Sequence, residues 1–173
     1  MIDTGSYRLR VNDMGTGNPK IIIDAIRDTL HGNLMSGPLC GYALTNIKVD
    51  VLDYSFDPQM IDEIVYKVAA NNALRTALSK AKPVLMEPVM KVEIVVPIEY
   101  SGSILSDVNS RRGYVLGLDI RGHLQVISAC IPLSNLFGYE TDIRSLSQGR
   151  ANSTLQFDHY EILPKNLQDK ILN

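Results

Sequence analysis

Two runs of alternating apolar residues, YVLGLDI and LQVISAC, stand on either side of RGH at 121–123. Alternation at period two puts every second side chain on one face of a strand. A three-residue loop containing glycine between two such runs predicts an antiparallel hairpin. Its surroundings narrow the fold further. Ahead lies MKVEIVV (90–96), a strand with Met90, Val92, Ile94 and Val96 facing one way. YSGSILSDVNSRRG follows, with Ile104, Leu105 and Val108 at helical spacing and Gly113 as the C-terminal stop. Behind the hairpin comes LSNLFGYETDIRSLSQG, a helix with Ser134 as N-cap and Gly149 as stop. RANSTLQFDHY (150–160) closes the pattern as a strand with Ala151, Ser153, Leu155 and Phe157 on one face. The order β-α-β-β-α-β is that of a split βαβ, ferredoxin-like domain.

Upstream, Pro83 and Pro88 bracket a connector in KAKPVLMEP that cannot be helical throughout. The expected boundary puts one domain at 1–84 and the other at 85–173. In the first domain SYRLRV (6–11) alternates as a strand, and NDMGTGNP (12–19) is turn-rich. A helix over 19–35 follows a starting proline, with Ile22, Ala25, Ile26, Thr29 and Leu30 on its inner side. ALTNIKVDVLDY (43–54) predicts a strand with Ile47, Val49 and Val51 on one face. A long helix is expected at about 58–80, with Pro58 in its first turn and Ile61, Ile64, Val65, Val68, Ala69, Leu74 and Leu78 as its stripe. The fold class is therefore α+β, a β-α-β-α segment followed by the ferredoxin-like domain.

Several function classes receive no support. No run approaches the ~18 apolar residues of a membrane span, and the N-terminus has no signal-peptide pattern. Cys40 and Cys130 lie far apart without a C-x-x-C spacing, which suits reduced, mostly buried thiols in a cytoplasmic protein. The net charge of −2 advertises no general basic field for nucleic acid, so any RNA contact has to be local. There is no phosphate-cradling G-x-x-x-x-G-K-[ST], and GTG at 15–17 lacks the third glycine of a dinucleotide loop. His31, His123 and His159 sit in separate elements without metal-ligand spacing, and no nucleophile elbow or Cys–His pair is visible. The chain is expected not to be an enzyme and to hold no cofactor.

What remains is polar chemistry at helix ends. Arg111 and Arg112 close one helix, where cations complement the dipole. Arg144 and Arg150 flank SLSQG, and two readings stay open there. Asp142 and Glu140 are near enough in sequence to pair with these arginines at the surface. Alternatively, arginine, serine, glutamine and the free N–H groups of a glycine turn are the inventory that grips phosphate and sugar oxygens.

Several long blocks carry a family resemblance. KPVLMEPVMKVEIVVP, LSDVNSRRG and IPLSNLFGYETDIRSLSQGRA resemble the last domain of translation elongation factor G, in the same order and at the same intervals. PKIIIDAIRDTL, GPLCGYALTNIKV and DEIVYKVAANNALRTALSKA resemble the domain before it, whose fold is like that of ribosomal protein S5 domain 2. Coverage is roughly residues 12–173. The resemblance implies a C-terminal part of a multi-domain GTPase that drives tRNA–mRNA movement on the ribosome, with GTP and Mg bound in an absent GTPase domain. It implies a probe domain that enters the decoding region and a last domain near the sarcin–ricin loop of large-subunit RNA. Mapped onto the family's R-S-L-T-Q-G-R corner, the rRNA contacts are Arg144, Ser145, Ser147, Gln148 and Arg150.

The sequence departs from the family pattern in two places. It begins partway through the probe domain, without the first glycine-rich loop, as an expressed fragment or a truncated reading frame would. The probe tip normally reads like GSYHDVDSS. Here Ser55, Phe56 and Asp57 stand in YSFDPQMID, with Asp57 where the family has a histidine. A carboxylate facing RNA phosphates repels rather than donates a hydrogen bond. That suits a second paralogue that splits ribosomes with ribosome recycling factor; alternatively, Asp57 caps the following helix. The expected chain is a cytoplasmic monomer that binds no membrane. A free-standing small α+β binding domain with another partner is the contrasting reading.

Overall fold

The computed structural model describes residues 2–3, 7–12, 19–55 and 62–172. It divides the chain into two compact units, Met1–Val84 with Asp169–Asn173, and Leu85–Gln168.

The first unit has a sheet of three strands, β1 (Ile2–Asp3), β2 (Tyr7–Val11) and β3 (Ile47–Val51), in that spatial order. β1 runs antiparallel to β2, and β2 runs parallel to β3 with Tyr7 opposite Ile47 and Val11 opposite Val51. The crossover between the parallel strands is α1 (Lys20–Met35), which starts beside Pro19 as the proline signal required. Ile22, Ile26, Leu30 and Leu34 recur at four-residue spacing and meet Tyr7 and Leu9 of the sheet in one buried cluster.

The second helix, α2 (Glu63–Ala81), departs from its expected course. Its N-cap is Asp62, whose carboxylate accepts from the Ile64 N–H at 2.9 Å. The described helix starts at Glu63; Pro58, Ile61 and the capping role expected of Asp57 lie outside the described residues. Leu74 and Leu78 pack inward as expected, joined by Tyr66 and Ala70, whereas Ile64, Val65, Val68 and Ala69 of the expected stripe are exposed. The helix has apolar residues on two sides, and the small Ala70 lets α1 approach on one of them. β3 is also shorter than the expected 43–54.

The second unit is a four-stranded antiparallel sheet in the order β5-β6-β4-β7, made of β4 (Met86–Pro97), β5 (Tyr114–Arg121), β6 (Leu124–Pro132) and β7 (Asn152–Ile162). Helices α3 (Ser101–Ser110) and α4 (Tyr139–Leu146) supply the β-α-β-β-α-β order. Val92, Ile94 and Val96 of β4 face Ile104 and Val108 of α3 and Tyr139 and Ile143 of α4 in a single buried cluster. Leu155 and Phe157, on one face of β7, are exposed at this edge of the sheet.

Four details correct the sequence reading. Pro88 lies inside β4 rather than in the connector. It pairs only toward β7, because pairing with β6 starts at Val89, so the missing N–H removes no ladder bond on that side. The hairpin loop is the two residues Gly122 and His123, since Arg121 still pairs with Leu124; Gly122 has φ of 64°. Ser134 caps no helix but sits in a 3-10 turn (Leu133–Asn135), and α4 starts only after Gly138, at φ of 79°. Finally, a fifth helix, α5 (Lys165–Leu172), follows Pro164, beyond the strand on which the sequence pattern closes. Cys130 is buried as expected, but Cys40 is exposed in a turn, and both thiols are free.

The end of α3 explains Gly113 differently. The residue in the left-handed conformation is Arg112, at φ of 61°. Gly113 N–H donates to Val108 O at 2.9 Å and Arg112 N–H to Asn109 O at 3.2 Å, which closes a Schellman turn with arginine in glycine's usual place. Gly113 is needed for space, because a Cβ there would lie 2.8 Å from both Ile131 Cγ1 and Val108 O.

Candidate nucleic-acid interface

The corner at 144–150 is built by the end of α4. Glu140 and Asp142 in the first turn and Arg144 in the last suit the helix dipole, while Tyr139 and Ile143 anchor the inner face. The helix closes through Gln148 and Gly149, both left-handed at φ of 53° and 81°. Gly149 N–H donates to Arg144 O at 2.7 Å, Arg150 N–H to Ser147 O at 3.1 Å and Ser147 N–H to Ile143 O at 3.0 Å.

Ser147 does not face an incoming RNA. It is fully buried; its hydroxyl donates to Ile143 O at 2.7 Å and accepts from Ala151 N–H at 2.8 Å. This corrects its expected role as an RNA contact. The main chain corrects a second expectation: its N–H groups from 147 to 151 are spent inside the turn. The surface on offer is four exposed side chains: Arg144, Ser145, Gln148 and Arg150. Ser147→Ala would leave a buried N–H unsatisfied and should destabilise the second unit by about 1–2 kcal/mol. Hydrogen exchange at Ala151 would accelerate, and Ser147→Thr, which keeps the hydroxyl, should stay close to the parent.

The acidic neighbours are engaged elsewhere. Asp142 accepts from Arg111 Nη2 at 2.5 Å, and Glu140 accepts from the Ser153 hydroxyl. Arg144 makes no ion pair among the described residues, and Arg150 pairs instead with Glu99 at 2.9 Å, its guanidinium 5.7 Å from the Tyr100 ring centre. The local ion-pair reading of this corner therefore fails for Asp142 and Glu140.

Behind the corner, Arg111 and Arg112 do more than complement a dipole. Arg111 donates to Asp107 at 2.8 Å and to Asn135 O at 2.8 Å, and lies 4.9 Å from the Tyr139 ring centre. The Asp107 hydrogen bond, with Asp142 adding to it against some desolvation, pushes the Arg111 pKa up. Burial likewise raises the Tyr139 hydroxyl above the usual phenol range, so it stays neutral. Arg112 pairs with Glu87, whose carboxylate also lies 3.4 Å from the Ser134 hydroxyl.

In the first unit, Ser55 is exposed just beyond β3 and borders a groove of about 760 Å³ between β3, α1 and α2. Phe56 and Asp57, named for the probe tip, lie outside the described residues, as does GTG at 15–17. His31 meets the Tyr7 hydroxyl, His159 pairs with Asp158 at 2.6 Å, and His123 sits in the hairpin loop. Among the described residues no group of three His, Cys, Asp or Glu could hold a metal ion, and no helix is long and apolar enough to cross a membrane.

Comparison with known proteins bears on the whole chain. The family description "Elongation factor G, domain IV" matches residues 5–82, and "Elongation factor G C-terminus" matches 84–171. Elongation factor G of Thermotoga neapolitana is 48% identical over 154 residues, and that of Thermotoga maritima is 47% identical over the same length. In each case the match covers 89% of this chain and 22% of the relative. A crystal structure from Thermus thermophilus superimposes with a TM-score of 0.83 at 29% identity, covering 96% of this chain and 25% of that one. These matches give no support to a free-standing α+β domain of unrelated kind. With both domain patterns met in the family's own order, the chain belongs to the elongation factor G family.

Proposed function

We propose that the chain forms the ribosome-facing C-terminal part of a translational GTPase that promotes tRNA–mRNA translocation. The second unit meets large-subunit RNA near the sarcin–ricin loop through Arg144, Ser145, Gln148 and Arg150. The first unit carries the decoding-region tip at Ser55, Phe56 and Asp57. The observation that carries this reading is the corner itself, where two exposed guanidiniums project from a turn whose own polar groups are satisfied. Two or three such contacts are enough for local docking on RNA without a basic domain.

GTP and magnesium belong to a GTPase domain outside these 173 residues. The roles proposed for this chain are binding roles at the two ribosome-facing sites. The chain acts as a cytoplasmic monomer. Asp57, at the position of the family's histidine, makes ribosome splitting with recycling factor the competing activity.

A graft decides between them. Residues 19–173 are joined to the front domains of a working elongation factor G that keeps its own first probe loop, and translocation and subunit splitting are assayed side by side. Translocation near the host's rate is the expected result. Splitting without translocation would overturn it and mark the parent as a recycling specialist.

A further inference from the structure

The two arginines of the corner are not equivalent, although both are exposed. Arg144 is without an ion pair among the described residues, whereas Arg150 gives Nη1 to Glu99 at 2.9 Å and lies against the Tyr100 ring at 5.7 Å. Glu99 and Tyr100 come from the 3-10 turn (Ile98–Tyr100) that follows β4, so a different part of the unit reaches over to hold this one side chain. Glu99 uses a single guanidinium nitrogen rather than the two-pronged contact of which arginine is capable. Its side chain is 60% exposed and that of Arg150 57%, the setting in which an ion pair is weak and readily exchanged. Tyr100, partly buried against the core, keeps the guanidinium in place whether or not the carboxylate stays.

We propose that Glu99 masks Arg150, neutralising it in the unbound chain until an RNA phosphate displaces the carboxylate. The proposal rests on the reading of this corner as the rRNA-facing surface, and adds a residue that tunes it. Arg144 makes the first, unmasked contact. Arg150 joins where a phosphate is placed to take both of its nitrogens, so a randomly placed phosphate gains less from the corner than a fitted one. Glu99 is thus a positioning residue that acts through Arg150 and touches no RNA itself.

The test compares the parent chain with Glu99→Gln, Arg150→Gln and the double variant. Arginine-specific dicarbonyl labelling of the free chain, read by mass spectrometry, reports the mask without any RNA. Affinity for vacant large ribosomal subunits reports its consequence. In Glu99→Gln, labelling of Arg150 should rise while that of Arg144 stays level. Subunit binding should tighten about threefold, as release of an exposed pair allows. That gain should vanish in the Arg150→Gln background. Unchanged labelling at Arg150, weaker binding, or a gain that survives without Arg150 would each overturn the proposal. If labelling rises but no variant alters subunit binding, the mask is physical and the rRNA-facing reading is what has failed, taking the proposed function of the mask with it.

Discussion

Reversing both charges at the corner, Arg144→Glu with Arg150→Glu, should lower affinity for large ribosomal subunits by about a hundredfold or more. A hydrogen bond to a charged group contributes about 1.5–3 kcal/mol, and the reversal removes two and adds repulsion. The dependence on salt should flatten as well. With two fewer phosphate contacts, the slope of log affinity against log salt should fall by roughly 1.5. Folding should barely change. Arg144 makes no ion pair among the described residues, and the exposed Arg150–Glu99 pair is worth about 0–1 kcal/mol. Co-sedimentation across a salt series, beside a thermal melt, measures both sides of this claim. Undiminished co-sedimentation of the folded double variant would remove the corner from the functional account.

The second large effect concerns stability, and it runs against local backbone preference. Arg112 occupies the left-handed position after α3, at φ of 61°, where glycine is ordinarily favoured by about 1 kcal/mol. Arg112→Gly should nevertheless destabilise the second unit by about 1–3 kcal/mol net. The guanidinium neutralises Glu87, which is only 8% exposed, and removing one member of a buried pair strands the other charge. Since Arg112 is itself 34% exposed, the loss sits at the low end for such pairs. The double variant Arg112→Gly with Glu87→Gln should recover much of the loss, because a neutral amide needs no counter-charge. Hydrogen exchange of β4 amides reads the second unit by itself. A single variant as stable as the parent would show that the pair contributes nothing beyond its geometry.

That arginine also marks where sequence reading reaches and where it stops. The inward face of β4, the helical spacing of Ile104 and Val108, and the β-α-β-β-α-β order of the second unit are local patterns, and all survive in the structure. Arg111 and Arg112 read as dipole complements because their neighbours in sequence say nothing of Asp142, 31 positions on, or Glu87, 25 positions back. Ser147 reads as an outward hydroxyl, since a turn's composition does not reveal which of its members the fold buries. The first half of the α2 stripe fails for a related reason: apolar residues line two sides of that helix, and only packing selects Tyr66 and Ala70 beside the expected Leu74 and Leu78. The start of α5 does carry a signal, since Pro164 precedes it and its carbonyl takes the Leu167 and Gln168 N–H groups at 2.9 and 3.0 Å.

The closed turn after α4 separates two things that proteins often entangle. Its shape is secured by main-chain bonds and by one buried hydroxyl, and none of them uses an outward side chain. The outward side chains can therefore be rewritten with little effect on whether the turn forms. An anion grip made of backbone amides would fix both the shape and the ligand at once. Here the outward side chains are replaceable letters on a fixed mount, so descendants of one scaffold can change what this corner presents while keeping the same fold.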